Sequence, residues 1–257
     1  MSQKNRVALY RLATLIVLLS VWEGAVKLGL VNSFWISSPT MIAHRALELV
    51  RDGALFYHTG ITLLEAFAGL VAGTIVGILL GLVLGANRTL GQVVEPFIMA
   101  LNALPRVALA PLLVMYVGIG FASKFLLAFS LVVVIVMVNT FEGVRAVDPM
   151  LVNAMRVLGA KQLQLFRMVL IPNSVPWILA GIRVSVAFAI VGAIVGEFIS
   201  AQAGIGYMID QASGAYDTTG IMVPLLTLML CAVVLDFIIT RLTRYLLRWR
   251  VSRMQTT

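Results

Sequence analysis

Residues 61–84 read ITLLEAFAGLVAGTIVGILLGLVL, and they decide the fold because they hold a single charged side chain, Glu65, in 24 positions. A helix needs about 20 predominantly apolar residues to cross the hydrocarbon core of a bilayer. Six stretches of the chain meet this requirement or come near it. In chain order they are residues 7–26, 61–84, 97–118, 125–140, 177–199 and 221–242. The sequence therefore predicts an all-α membrane protein with six transmembrane helices.

The composition of the whole chain agrees with this prediction. Of the 257 residues, 61% are hydrophobic and 12% are charged, and the mean hydropathy is +1.02. Soluble domains are about 25% charged and about half apolar, so a water-soluble globule, a disordered tail and a collagen-like rod are excluded. The net charge of +8 does not predict nucleic-acid binding, because membrane proteins concentrate Lys and Arg in their cytoplasmic loops.

The basic residues also predict the orientation. If the N-terminus is cytoplasmic, 13 Lys and Arg residues fall in cytoplasmic segments and 4 in outer segments, with Arg106 and Arg183 inside spans. This bias is the one expected for a chain with both termini in the cytoplasm, and six crossings give the same parity.

The outer segment after the first span, residues 39–52, is expected to form a short helix. Ser38 or Thr40 is suited to cap it, and Pro39 fits its first turn. Its expected apolar face consists of Met41, Ala43, Leu47 and Val50.

Glycines recur every four residues in the second span. They are Gly69, Gly73, Gly77, Gly81 and Gly85. Small residues allow transmembrane helices to approach closely. Because a step of four residues drifts about 40° around a helix, we expect this row to meet more than one neighbouring helix.

The third span is expected to be broken, since Pro96, Pro105 and Pro111 each remove a backbone donor. Asn102 and Arg106 are four residues apart and are expected on one face. A charged Arg at membrane depth faces the protein interior or a wet cavity, so Asn102 and Arg106 are candidates for a translocation path, or for a structural pair. Glu197, near the outer end of the fifth span, is a third path candidate, or an interfacial acid.

Residues suited to catalysis or metal binding are sparse. His44 and His58 are the only histidines and Cys231 is the only cysteine. We therefore predict no catalytic residues and no metal site, which leaves an intramembrane enzyme as a poor hypothesis.

The longest inner loop, residues 141–176, carries the strongest functional signal. Asp148 and Pro149 are a helix start, and Gly159 is a helix end. Between them one apolar stripe recurs at three and four residues, consisting of Leu151, Ala154, Met155 and Leu158. A second short helix is expected at residues 161–170, closed by Ile171-Pro172, with Pro176 starting the fifth span. A helix of about ten residues is marginal alone in water, so the first helix is expected to dock in a partner's groove or to lie on the lipid interface.

This loop resembles the signature loop of binding-protein-dependent ABC importer permeases, written as Glu-Ala-Ala, three residues, Gly, nine residues and Ile-x-Leu-Pro. Here the pattern reads Asn153-Ala154-Met155, then Gly159, then Val169-Leu170-Ile171-Pro172. Asn153 replaces the family Glu and Met155 replaces an Ala. Three further motifs resemble the nitrate, sulfonate and taurine branch of these permeases: Tyr116-Val117-Gly118-Ile119-Gly120 with Ser123-Lys124, Asn139-Thr140-Phe141-Glu142-Gly143-Val144-Arg145, and Gly204-Ile205-Gly206-Tyr207-Met208-Ile209.

The resemblance implies a type I importer permease of the bacterial inner membrane, in which the short loop helix is the coupling helix. Its implied partners are two ABC ATPase subunits, a second copy of the permease as a homodimer, a periplasmic or lipid-anchored solute-binding protein and the lipid bilayer. ATP and Mg would bind to the ATPase, so no cofactor is expected on this chain. Gly159 would set the angle between the loop helices and Pro172 the turn towards the fifth span. The implied ATPase-docking residues are Leu151, Asn153, Ala154, Met155, Arg156, Leu158, Gly159 and Pro172.

The expected organisation is an N-terminal span with a periplasmic helix (residues 1–57), the permease domain (58–243) and a basic cytoplasmic tail (244–257).

The expected solute is a small anion, such as a sulfonate, taurine, nitrate or an aromatic carboxylate, which would suit Arg106. A neutral pyrimidine or vitamin precursor remains open. A self-contained secondary transporter or channel is the rival from another class; it would need inverted repeats with paired broken helices, and only one Pro-broken span is evident.

Overall fold

A computed structural model of the chain describes residues 3–32, 34–200 and 202–247, and these are predominantly helical. In chain order the helices are α1 (Gln3–Lys27), α2 (Pro39–Arg51), α3 (Ala54–Ala86), α4 (Arg88–Ala103), α5 (Ala110–Val117), α6 (Phe121–Arg145), α7 (Pro149–Val157), α8 (Gln162–Leu165), α9 (Ile171–Ser200), α10 (Ile205–Gly214) and α11 (Thr218–Leu246). A 3₁₀ turn, Arg106–Leu109, precedes α5, and a π-turn, Phe166–Leu170, joins α8 to α9.

Five helical stretches within the described residues are long and apolar enough to cross a membrane. They are α1, α3, α6, the continuous stretch from α8 through α9, and α11. The pair of α4 and α5 meets the same test together and is bent by 76° at a short break. Taken as one broken span, this pair brings the total to the six that the sequence predicts.

The core is built around α6, which lies between α3 and α9. The five glycines of the row, from Gly69 to Gly85, all face α6: a Cβ atom added at any of them would lie 2.5–2.8 Å from the nearest α6 atom. The residues opposite also recur every four positions and are buried. They are Ala128, Val132, Val136, Thr140 and Val144.

The glycine row therefore meets one neighbour, α6, whereas α3 as a whole is crossed by more than one neighbour, since it also packs against α9. A row with a period of four drifts around a straight helix, but two helices that both present such rows stay in register by crossing in a right-handed sense. A single neighbour, α6, thus follows the whole row.

Helix α9 packs on α6 with small residues of its own. A Cβ at Gly192 would lie 2.6 Å from the Cα of Ala128, and a Cβ at Gly196 would lie 2.8 Å from the Cγ of Lys124. At the other end, a Cβ at Gly143 of α6 would lie 2.6 Å from the Cβ of Trp177. Because the numbering of these contacts runs in opposite directions, α6 and α9 are antiparallel, as consecutive spans should be.

Helix α2 begins as the sequence predicts. Ser38 is its N-cap and accepts a hydrogen bond from the backbone N–H of Met41 at 3.3 Å, and Pro39 occupies the first helical position. The residues of the expected apolar face, Met41, Ala43, Leu47 and Val50, are exposed. The face that packs against the core consists of Ile42, Ala46 and Leu49. Ala43, Leu47 and Val50 have the same helical spacing as Ile42, Ala46 and Leu49, so periodicity did not distinguish the two faces.

The outermost elements join this core loosely. Helix α1 has none of its apolar window buried, and it meets α2 near its C-terminal end, where the Trp22 indole N–H donates to the Ser37 carbonyl at 2.8 Å.

The expected domain boundaries at 57/58 and 243/244 lie within α3 and α11. Residues 248–257 of the expected basic tail lie outside the described residues.

Candidate functional site

Helix α7 forms as its sequence signals predict. The Asp148 carboxylate accepts a hydrogen bond from the backbone N–H of Met150 at 2.8 Å, and Pro149 stands at the first helical position. A capping carboxylate at this end also interacts favourably with the helix dipole. The start of α7 is therefore fixed by local chemistry.

Gly159 ends α7 through a Schellman motif. The N–H of Gly159 donates to the carbonyl of Arg156, and the N–H of Ala160 donates to the carbonyl of Met155, both at 3.0 Å. The φ angle of Gly159 is +78°, in the left-handed region that favours glycine. The direction in which the chain leaves α7 thus depends on this residue.

One face of α7 packs against its own loop. Val152 and Met155 are half-buried against a small cluster formed by Val147, Leu165 and Val169. Met155 was expected on the docking stripe, but the structure places it on the inner face. Side chains three and four residues apart share a helix face, and Met155 follows Val152 by three, which puts it with the cluster.

The opposite face of α7 is apolar and exposed. Leu158 is 80% exposed and Val157 is 89% exposed. Other exposed residues of this loop helix are Met150, Leu151, Asn153, Ala154, Arg156 and Gly159. Sequence reasoning missed Met150 and Val157, although with Ala154 they form a second stripe at positions i, i+4 and i+7.

Pro172 does not close a helix, contrary to expectation. The helical path runs without interruption from Gln162 to Ser200. Within it the N–H of Ile171 donates to the carbonyl of Phe166, which is an i to i−5 bond. A π-turn of this kind widens the helix where a proline ring would otherwise clash with the preceding turn, so Pro172 is accommodated and makes no turn.

The broken span places Arg106 inside the protein. The helix ends at Ala103, so Asn102 and Arg106 do not share a continuous helical face as expected; Asn102 is exposed and Arg106 is 8% exposed. The Nη1 group of Arg106 donates to the carbonyls of Ser130 at 2.9 Å and Leu131 at 3.4 Å on α6. Its Nε–H is buried and has no hydrogen-bond partner.

This guanidinium is deep in the membrane. Ser130 is nine residues from the start of α6 and fifteen from its end, or about 14 Å and 22 Å at 1.5 Å per residue. Two other basic side chains within spans have carboxylate partners: Lys124 Nζ is 3.6 Å from Glu65 Oε1, and Arg183 Nε is 2.8 Å from Asp236 Oδ1. None of the ion pairs found among the described residues includes Arg106.

Glu197 lies in a buried polar cluster at the end of the core where α10 begins. Thr62 donates its hydroxyl to Glu197 Oε1 at 2.7 Å, and the backbone N–H of Gly206 donates to Oε2 at 2.6 Å. Glu197 is 1% exposed. Glu197 thus joins the end of α9 to α3 and to the first turn of α10, and its role as a path residue stays a prediction.

Within the residues that the structure describes, His, Cys, Asp and Glu side chains form no group of three suited to a metal ion. The candidate features are the exposed apolar face of α7 and the buried guanidinium of Arg106.

Comparisons with known proteins match this arrangement. The family model described as "Binding-protein-dependent transport system inner membrane component" matches residues 73–251. The riboflavin transport system permease protein RibX of Chloroflexus aurantiacus is 38% identical over 239 residues, covering 93% of this chain and 89% of that protein. The putative aliphatic sulfonates transport permease protein SsuC of Bacillus subtilis is 31% identical over 236 residues, covering 92% and 86%.

The fold is also similar to a solved structure. An inward facing conformation of the MetNI methionine ABC transporter matches with a TM-score of 0.64 and 20% identity, covering 72% of this chain and 92% of the matched chain. At this identity the likeness establishes the fold alone.

Proposed function

The chain belongs to the family of binding-protein-dependent transport system inner membrane components, and on this premise we propose how it works. It is a permease subunit of an ABC importer in the inner membrane. We propose that α7 is its coupling helix and that the exposed apolar face of α7 seats in a groove of a separate ABC ATPase subunit. The observation that carries this proposal is the exposure of Val157 and Leu158 beside a helix whose other face is already packed.

An apolar face of this kind favours a protein groove over a lipid surface. A helix that lies on lipid carries a strongly charged face rich in Lys and Arg, whereas α7 has one basic residue, Arg156, and its second face is used by its own loop. A short amphipathic helix that presents residues at i, i+4 and i+7 is the form that fits a groove in a partner.

The complete importer would contain two ATPases, two copies of this chain and an external solute-binding protein, with both termini of the permease in the cytoplasm. The 13 to 4 distribution of basic residues supports this orientation. ATP binding would bring the ATPases together and carry the two α7 helices with them. Such a rigid-body shift favours one of two pathway states, open inward or open outward, over the other.

We propose a small anion, such as a sulfonate, as the solute. Arg106 supports this, because a guanidinium without a carboxylate at membrane depth has its Nε edge unused, and Arg forks bind carboxylates and sulfonates through two parallel hydrogen bonds. The name of the sulfonate permease relative points the same way. The name of the riboflavin permease relative favours the alternative, a neutral vitamin or pyrimidine precursor.

Uptake by the assembled importer distinguishes the two solutes. We expect membrane vesicles to accumulate a radiolabelled aliphatic sulfonate on addition of ATP, and Arg106→Gln to reduce that uptake more than Arg106→Lys, which keeps the charge. Accumulation of riboflavin but not of the sulfonate, unaffected by Arg106→Gln, would favour the neutral solute.

Binding of the ATPase is tested directly by co-purification. We expect Leu158→Asp to remove the ATPase from the purified complex, because it places a charge on the docking face. The matched control is Leu47→Asp, which alters an exposed leucine of α2, the helix expected on the opposite side of the membrane. Full retention of the ATPase by Leu158→Asp would contradict the docking assignment. Solute uptake by the permease without any ATPase would instead indicate a secondary transporter or channel.

A further inference from the structure

Two contacts join the first half of α4 to the last two turns of α6. Arg145 Nη1 lies 2.6 Å from Glu95 Oε2, and the Arg145 guanidinium stands over the Phe141 ring at 5.0 Å from its centroid. One turn earlier on α4, a Cβ atom at Gly91 would lie 3.1 Å from Cε2 of Phe141. Gly91 and Glu95 on α4 therefore match Phe141 and Arg145 on α6, with a spacing of four residues on each helix.

These contacts lie next to α7. Arg145 is the last residue of α6, and Asp148, which caps α7, follows three residues later. Beyond Glu95, α4 runs to the break at which Arg106 is held by the Ser130 carbonyl of α6. The broken span thus contacts α6 at two levels, through Glu95 of α4 beside the loop and through Arg106 of the 3₁₀ turn after the break, with the exposed side chain of Asn102 between them.

We propose that the Glu95–Arg145 ion pair is the positioning contact that makes α4 move as one body with α6 and α7, so that a displacement of α7 reaches the broken span. This inference rests on the proposed function, in which α7 receives its displacement from an ATPase. Glu95 and Arg145 touch no solute in this scheme; they act through α4.

The remaining contacts between α4 and α6 are apolar, and they hold the two helices together without fixing their register, because apolar packing is non-directional. Ile98 packs with Val134 and Met137 in a small cluster, and the Gly91 contact is one of van der Waals type. The ion pair adds a directional contact. Ion pairs of partial exposure, such as this one at 40% and 32%, change an equilibrium between two arrangements by about two- to fivefold. Hydrogen bonding to a charged group and the stacking of Arg145 on Phe141 favour the upper part of that range.

The experiment follows α4 without requiring the identity of the solute. The complex with its ATPase is prepared with Cys231→Ser and Asn102→Cys, and the rate of labelling by the charged thiol reagent methanethiosulfonate ethyltrimethylammonium is measured without nucleotide and after trapping with ATP and vanadate. Four variants are compared with this parent: Glu95→Gln, Arg145→Gln, the exchanged pair Glu95→Arg with Arg145→Glu, and Arg45→Gln.

We expect the nucleotide-dependent difference in labelling rate to shrink about two- to fivefold in Glu95→Gln and in Arg145→Gln, and to return in the exchanged pair. Arg45→Gln is the matched control, because Arg45 pairs with Glu48 within α2 at 3.0 Å and has a similar exposure; it should leave the difference unchanged. A purely structural role for either residue alone would not give recovery in the exchanged pair.

The proposal is overturned if the neutral variants keep the full difference, or if the exchanged pair is as impaired as the single variants. A parent complex that contains the ATPase but shows no nucleotide-dependent labelling also overturns it, while leaving the docking of the ATPase intact. Absence of the ATPase from the parent complex would instead remove the proposed function, and this inference with it.

A variant that fails to accumulate in the membrane is replaced by Glu95→Asp, which keeps the charge on a shorter side chain. We expect Glu95→Asp to retain part of the nucleotide-dependent difference in labelling rate. A full loss of that difference would contradict the proposal.

Discussion

A single added methyl group on the glycine row should separate α3 from α6. In Gly69→Ala the new Cβ would lie 2.5 Å from the Cβ of Ala128 and 2.9 Å from the backbone nitrogen of Phe129. Ordinary contacts between carbon atoms are about 3.5–4.0 Å. Because the obstacles are a Cβ and the main chain, no rotamer change relieves the overlap, and the two helices have to move apart by about 1 Å.

The size of the effect follows from a comparison within the same helix. Gly60 also lies in α3, and a Cβ there would meet nothing within 4 Å. Both substitutions gain about 1 kcal/mol of helix propensity, so the difference between the two variants isolates the steric cost at Gly69. Overpacking of this kind costs about 1–3 kcal/mol, which corresponds to a difference of about 2–12 °C in melting temperature for a chain of this length.

The assay is thermal unfolding of the purified protein in detergent. Cys231, the only cysteine and partly buried, allows unfolding to be followed with a thiol-reactive fluorophore. We expect Gly69→Ala to melt below Gly60→Ala by this margin. Equal melting temperatures, or a more stable Gly69→Ala, would show that the close approach of α3 and α6 is not as described.

Three further predictions follow from the loop, the buried cluster and the second intramembrane ion pair. Gly159→Trp should insert normally but uncouple ATP hydrolysis from uptake, whereas Gly159→Asn, which tolerates a positive φ, should retain most coupling; both rates are measured in vesicles. Glu197→Ala should lower stability by about 2–4 kcal/mol, since it leaves the Gly206 N–H buried without its acceptor, and thermal melting checks this. Arg183→Asp should reduce the amount of folded protein in the membrane, and adding Asp236→Arg should restore it, as measured by immunoblotting.

Local features were predictable from the sequence because they depend on nearby residues. The apolar stretches identified the spans, and the Ser38 and Asp148 caps and the Gly159 terminus follow from hydrogen bonds within five residues. Pro172 misled because a π-turn, which depends on how α9 packs, allows a proline inside a continuous helix.

Features set by tertiary contacts were not predictable in the same way. Val152 and Leu151 are adjacent residues of similar character, yet one faces Leu165 and the other is exposed. Periodicity states that a helix has an apolar face but does not identify what covers it. Asn102 and Arg106 are separated because the helix bends by 76° between them. Pro105 predicted a kink there, but the size of the bend depends on tertiary contacts and not on the local sequence.

The uninterrupted path from Gln162 to Ser200 has a mechanical consequence. Its 39 residues extend about 58 Å at 1.5 Å per residue, and Glu197 lies about 52 Å from the Gln162 end. If this helix tilts by about 5° about its Gln162 end, its Ser200 end moves sideways by about 5 Å, which is close to the pitch of one helical turn. Under the proposed function, a displacement of the Gln162 end next to the ATPase would be carried along one continuous helix to Glu197, and so to the first turn of α10 on the other side of the membrane.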